Sequence, residues 1–173
     1  SRQDPDLLFA VGASGIWRSD DFAASWSLIE PPTDDFQFSS STPRISLASP
    51  HVVWAPLGVI FGNLEIGQSR NGGRSFRLRV MLGEVAPGRP TNIATHPIDE
   101  RTVYVLFSVR GAPKVVRSVD EGRTWEDISG VDGVSTRGFP DVAAYDLVVM
   151  PFDTERIWVG TEIGIAETLD GGA

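Results

Sequence analysis

The chain contains no cysteine. That excludes disulfides, thiolate metal sites and a cysteine nucleophile, and it leaves the cellular compartment open. Lysine is nearly absent too: Lys114 stands alone against fourteen arginines, so the cationic groups are almost all planar forks suited to bidentate pairing. The two histidines, His51 and His96, each adjoin a proline and lack the H-x-x-x-H spacing of a zinc pair. They read as turn residues, and no metal or other cofactor is expected. No apolar run approaches the ~20 residues that a membrane helix needs. The opening "SRQDPDLLFA" has no basic flank followed by a long apolar stretch, so no signal peptide is visible, which leaves secretion of a processed chain open. Positive charge is in deficit, with a formal net charge of −8. This argues against a nucleic-acid-binding surface and favours neutral or cationic partners. No segment of useful length keeps helical periodicity.

What remains is a chain of short strands and turns. With 173 residues, 41% hydrophobic and 22% charged, it has the size and balance of one globular domain. Eighteen glycines and twelve prolines imply many turns. The segment "SVDEGRTW" (118–125) recurs as "SDDFAASW" (19–26) and "SRNGGRSF" (69–76), and again as "TLDGGA" (168–173). The first residues, Ser19, Ser69, Ser118 and Thr168, are spaced by 50, 49 and 50. The flanks repeat as well: "LLFAVGASGIWRSDD" (7–21) aligns without gaps on "IWVGTEIGIAETLDG" (157–171). "RISLASP" (44–50), "TNIATHP" (91–97) and "YDLVVMP" (145–151) each precede a further apolar strand. The unit is therefore strand A, a turn bearing a proline, strand B, a turn, strand C, the box, and strand D opening on an aromatic. Four antiparallel strands per ~50 residues describe a β-propeller blade, which buries its faces only by stacking on neighbours. The fold is expected to be all-β, with about three and a half blades. Repeats at approximately 1–31, 44–83, 91–130 and 144–173 form part of one propeller domain spanning 1–173. The raw edges at both ends read as a piece of a longer array, whose remaining blades would be partners of this one. Leu8, Phe9, Ile16, Trp17, Val103, Tyr104, Val115, Val116, Ile157, Trp158 and Val159 should fill the spaces between blades.

"SVDEGRTW" resembles the Asp-box, or BNR repeat, Ser-x-Asp-x-Gly-x-Thr-Trp, at all five defining positions: Ser118, Asp120, Gly122, Thr124 and Trp125. The other copies depart from it in places. Ser19, Asp21 and Trp26 are kept but Ala23 replaces the glycine. Ser69 and Gly73 are kept but Asn71 replaces the aspartate and Phe76 the tryptophan. The last copy shows Thr168, Asp170 and Gly172. The resemblance implies a β-propeller of the kind found in sialidases, xyloglucan-cleaving endoglucanases, sortilin-type receptors and a photosystem II assembly factor. It also implies that the box lies at the blade periphery, away from a central site. The residue types agree with a structural role. An aspartate in such a turn accepts backbone N–H groups, and the glycine supplies a positive φ. Asn71 still closes a turn but could not serve as an ionised catalytic carboxylate.

Chemistry must then be sought elsewhere. "GASG" (12–15) is a hairpin turn, not a phosphate loop, and "GVSTR" (133–137) lacks the last glycine of a nucleophile elbow. The acid pairs Asp20/Asp21, Asp34/Asp35, Asp99/Glu100 and Glu126/Asp127 fall in turns or on exposed strands. A site would combine blades at the start of strand A, which lines the channel. Counted back from the proline, Asn92 and Asp146 share one register and Arg44 lies one place earlier, and these three are the candidate channel-facing polar residues. "TPRIS" (42–46) departs from the Phe/Tyr-Arg-Ile-Pro motif of sialidases at Pro43 and Ser46. Two long loops, 29–43 and 129–141, carry Phe36, Phe38 and Phe139 among small polar residues and are candidates for recognition. The reading is a non-catalytic binding or scaffold propeller, extracellular or periplasmic, recognising a glycan or a protein. The alternative is a glycoside hydrolase acting on polysaccharide, resembling the xyloglucanases more than the sialidases. Two facing carboxylates in the channel or a cleft would discriminate them.

Overall fold

In a computed structural model, the structure describes residues 4–12, 15–29, 43–60, 63–76, 78–82, 85–86, 88, 90–130 and 138–172. Among these there are fourteen strands and no helix. Strands β1 (Leu8–Gly12), β2 (Gly15–Ser19) and β3 (Ser27–Ile29) form the first sheet. Strands β4 (Arg44–Ile45), β5 (Val53–Ile60), β6 (Asn63–Ser69) and β7 (Leu78–Met81) form the second. The third holds β8 (Pro90–Thr95), β9 (Val103–Phe107), β10 (Val115–Ser118) and β11 (Glu126–Asp127). The fourth holds β12 (Ala144–Met150), β13 (Asp153–Thr161) and β14 (Gly164–Thr168). Every pairing joins neighbours in sequence and is antiparallel.

Each sheet keeps one register. Leu8, Val53, Val103 and Ile157 lie opposite Ser19, Ser69, Ser118 and Thr168, the first residues of the boxes. Strands β8 and β12 carry the same bulge, between Pro90 and Asn92 and between Ala144 and Asp146. Pro56 also adjoins a bulge, the setting in which a strand tolerates a proline without a lost ladder bond.

Packing between sheets explains the composition of β9, "VYVLF". Its five residues are all buried because the strand has a blade on each side. Val103, Val105 and Phe107 pack with Val52, Trp54 and Ile66 of the second sheet. Tyr104 and Leu106 pack with Leu147, Val149, Ile157 and Val159 of the fourth. A strand buried on both faces reads as a continuous apolar run. A third cluster joins Phe9, Ile16 and Ile29 to Ala55, Leu57 and Phe76. Consecutive sheets therefore stack face to face as blades, and the cores lie between them. Inner strand β8 touches both β4 and β12, so the A strands gather on the inner side. This is an all-β arrangement of consecutive blades, a partial β-propeller.

Of the residues expected between blades, Ile16, Val103, Tyr104, Val115, Val116, Ile157 and Val159 are buried. Leu8, Phe9 and Trp17 are half-buried. Trp158 is a correction. It occupies the register of Trp54 and Tyr104, yet it is 42% exposed. Its alternate neighbours Ile157 and Val159 face the third sheet, so Trp158 points to the opposite face, where no described blade covers it.

Candidate functional site

Each box closes on side-chain hydrogen bonds of its own turn. In the third, Ser118 Oγ accepts Gly122 N–H at 2.8 Å and donates to Asp120 Oδ1 at 2.9 Å. Asp120 in turn accepts Thr124 N–H at 2.8 Å and the Thr124 hydroxyl at 2.7 Å. Asp21 makes the same bonds with Ser25. In the second box Asn71 Oδ1 accepts Ser75 N–H at 3.0 Å while its Nδ2 donates to Ser75 Oγ at 2.9 Å. The amide thus replaces the carboxylate by reversing one bond, as expected for a turn closure. The hydrogen bonds donated by Ser25 and Thr124 hold the carboxyl groups of Asp21 and Asp120 down at about 2. Both carboxylates are absorbed by their own turns.

The turn geometry needs two successive residues with positive φ. These are Phe22 and Ala23, Gly72 and Gly73, Glu121 and Gly122, and Gly171 and Gly172. In the second and fourth boxes the carbonyl of the first of the pair also accepts a donor from the preceding blade. Arg18 Nε donates to Gly72 O at 2.6 Å, and Arg117 Nη1 donates to Gly171 O at 2.9 Å. Each arginine precedes its own box and clips the next one. Gln68 stands at that place in the second blade, and its Nε2 is buried without a partner among the described residues. There an ion pair from Arg70 to Glu121, at 2.5 Å, joins the two blades. The sequence carries this clip as an Arg immediately before Ser19 and Ser118, outside any catalytic motif.

The inner strands hold the polar row. Arg44 donates to Asn92 Oδ1 through Nε at 3.1 Å and Nη2 at 2.7 Å. Asn92 Nδ2 donates to Asp146 Oδ1 at 2.8 Å and to Tyr145 O at 3.2 Å. The three candidates thus form one hydrogen-bonded chain across three blades. Asp146 Oδ1 also accepts Leu147 N–H at 3.0 Å, so its named donors are neutral amides. The register differs from that counted on the prolines. Arg44 pairs with Trp54 just as Ala94 pairs with Tyr104 and Val148 with Trp158, which places it two residues after the register of Asn92 and Asp146. The A–B connections are equally long. In the second blade, however, the proline, Pro50, follows Ser49, whereas Pro97 precedes the matching Asp99, as the equivalent bonds of Val52 N to Ser49 O and Thr102 N to Asp99 O show. The long reach of the guanidinium bridges the offset.

The remaining candidates separate. Phe36, Phe38, Asp34 and Asp35 lie outside the described residues. Phe139, expected on a recognition loop, is half-buried against the cluster between the third and fourth blades. It lines a cavity of about 610 Å³ with Ile128, Leu147, Val159 and Ala166. His96 Nδ1 accepts Asp99 N–H at 3.1 Å and Ile98 N–H at 3.4 Å, a turn role. Burial lowers its pKa below the usual 6.5 against the pull of Asp99. Asp20 pairs with Arg18 and Arg74, Glu126 with Arg117, and Asp99 with Thr102. Among the described residues, no group of three His, Asp or Glu side chains is placed to hold a metal. No described helix is long and apolar enough to cross a membrane.

Fold and row together define a partial β-propeller with a polar inner seam. Among solved structures, the chain superposes on a GH74 xyloglucanase from Xanthomonas campestris with TM-score 0.69 and 19% identity, covering 98% of this chain and 28% of that one. It superposes on the GH74 enzyme of Niastella koreensis with TM-score 0.75 and 17% identity, over 99% and 28%. It also superposes on YCF48 bound to D1 peptide, with TM-score 0.52 and 17% identity, over 95% and 60%. The chain therefore spans little more than a quarter of the two GH74 proteins. At these identities the likeness shows the fold. No family model and no curated protein matches the sequence.

Proposed function

We propose that this chain is part of a non-catalytic binding propeller that recognises a glycan or protein ligand at the channel side of its inner strands. The observation that carries this reading is the row Arg44–Asn92–Asp146, which draws one polar side chain from each of three blades into a single chain of hydrogen bonds. Such a row offers fixed donors and acceptors along a rigid seam, the arrangement that orients a polyol or a peptide backbone. The propeller fold and its boxes support Asp-box character for the four turns, and an extracellular or periplasmic location accords with that class. YCF48, a similar fold, was solved with a peptide bound.

The second reading is a polysaccharide hydrolase, and the likeness to GH74 structures favours it. Asp146 would be its carboxylate, but its hydrogen bonds to Asn92 and Leu147 suit a positioned acceptor better than a general acid. The deciding experiment is a glycan and polysaccharide screen scored both for binding and for release of reducing ends. Binding without release, abolished by Asn92→Ala, supports the first reading. Release that Asp146→Asn eliminates overturns it in favour of the second.

A further inference from the structure

We infer that the A–B turn of the third blade, residues 96–102, is a proton-operated switch: its neutral form holds a polar joint between the second and third blades, and protonation of His96 releases it. The repeat supplies the comparison. His96 N–H donates to Thr102 O as Ser46 N–H donates to Val52 O, so the two residues hold one place in successive blades. Both blades carry a described neighbour on each face. Ser46 Oγ accepts Ala48 N–H at 3.2 Å. His96 Nδ1 accepts the matching Ile98 N–H at 3.4 Å and also Asp99 N–H at 3.1 Å. A hydroxyl keeps its lone pairs throughout the range near neutrality. An imidazole does not, because its cation donates from both nitrogens and has no acceptor left. One turn is therefore closed by a group that cannot titrate there, and its counterpart by one that can.

The turn acts through what it carries. Arg101 O accepts Glu121 N–H at 3.0 Å, which seats the third box on the turn. Glu100 and Glu121 both pair with Arg70 of the second blade, at 3.8 Å and 2.5 Å. This is the seam in which Gln68 stands where Arg18 and Arg117 clip the next box. The Arg70 pairs take over from the clip, and turn 96–102 presents one of their carboxylates and seats the other. The charged groups around His96 set the direction. Asp99, Glu100 and Arg101 stand on its own turn, and Glu155 acts on it from the A–B turn of the fourth blade. Tyr104 of β9 and Arg117 of β10 join the same cluster through Asp99 and Glu155. Burial lowers the His96 pKa below the usual 6.5 against the pull of Asp99 and Glu155. The closed turn is therefore complete above about 6.5 and is lost as pH falls through the lowered value. A ring that leaves the two amides as a cation has these same carboxylates to settle against. The switch is separate from the row Arg44–Asn92–Asp146, and its test needs no ligand.

The test compares amide hydrogen exchange of the 173-residue chain with that of His96→Ser at about pH 7.5 and about pH 5.5, corrected for the intrinsic pH dependence of exchange. His96→Ser copies the turn of the second blade and keeps His51, the other histidine. In the wild-type chain, protection of the Ile98, Asp99 and Glu121 amides should fall at the lower pH by up to about tenfold. That is the limit for a closed form that excludes the proton, one unit below the ordinary 6.5 of the open form. In His96→Ser the same protections should not change between the two pH values. The Ala48 amide, held by Ser46, should respond in neither chain. The wild-type imidazole, followed by NMR, should titrate with the midpoint at which protection is lost. Protection that is independent of pH in the wild type overturns the switch, as does an equal loss in His96→Ser or a separate midpoint for the imidazole. A loss at Ile98 and Asp99 that leaves Glu121 unchanged overturns the link from turn to seam.

Discussion

Replacing Gly73 by alanine and Ala23 by glycine should move stability in opposite directions, although both residues hold the same place in their boxes. Gly73 has φ +77°, and an alanine Cβ there would lie 2.3 Å from Phe9 Cζ and 2.6 Å from Cε1. Left-handed geometry costs an L-residue about 1–2 kcal/mol, and the stiffer unfolded chain returns about 0.4–1. Forcing Phe9 out of its seat adds about 1–3 kcal/mol as overpacking. The sum for Gly73→Ala is a loss of about 2–4 kcal/mol, or roughly 5–15 °C in Tm for a chain of this size. Ala23 has φ +71° and is exposed, so only the backbone term applies. Ala23→Gly should therefore stabilise by about 0.5–1 kcal/mol. Urea and thermal unfolding at unchanged m-value measure both. The packing term is isolated in a Phe9→Ala background, where Gly73→Ala should cost only about 0.5–1 kcal/mol. If Gly73→Ala costs as much without Phe9 as with it, the contact between blade and box is not what the glycine serves.

Four further predictions concern the turns and the sole lysine. Ser118→Ala leaves the buried Gly122 N–H without its acceptor and should cost about 1–3 kcal/mol, measured by urea unfolding. Asp120→Asn should be close to silent, as Asn71 is in its own turn, whereas Asp120→Ala should lower Tm; an equal effect of the two would overturn the account of the box. The nitrogen Nδ1 of His96 accepts two backbone N–H groups, and its pKa is depressed, so the unfolded chain binds the proton first. The stability it contributes is complete above about 6.5 and is lost as pH falls below it. A titration of the imidazole by NMR that gave a value at or above 6.5 would refute this. The sole lysine, Lys114, is fully buried, with its ammonium held by Val109 O, by Ala112 O at 3.0 Å and by Asp141 at 2.6 Å. Lys114→Met should cost about 2–4 kcal/mol in unfolding, less than a fully buried pair because Asp141 is half exposed.

The row Arg44–Asn92–Asp146 separates what is local from what is not. Its three members were legible as polar residues at the start of strand A, because the repeat places them there. Their order was not. The proline sits at different points of equally long A–B turns, so counting from it misplaces Arg44, and only strand pairing gives the true register. Likewise Phe139 reads as a loop aromatic by composition, yet it packs into the space between two blades, because burial depends on a neighbour that sequence spacing does not locate.

The sequence by itself determined the period, the strand types and the turn chemistry, since each depends on residues within one ~50-residue unit. A Ser-x-Asp turn closes on its own hydrogen bonds wherever it occurs. Tertiary structure decided everything that passes between units. It seats Phe9 on Gly73 and Trp54 beside Gly122, while Ala23 is left exposed at the same position. It sends Arg18 and Arg117 across to the next box, joins Arg44 to Asp146 through Asn92, and leaves Trp158 open where Trp54 and Tyr104 are buried. The physical reason is that a blade buries its faces only against other blades, so which of two identical positions becomes core depends on what is stacked upon it.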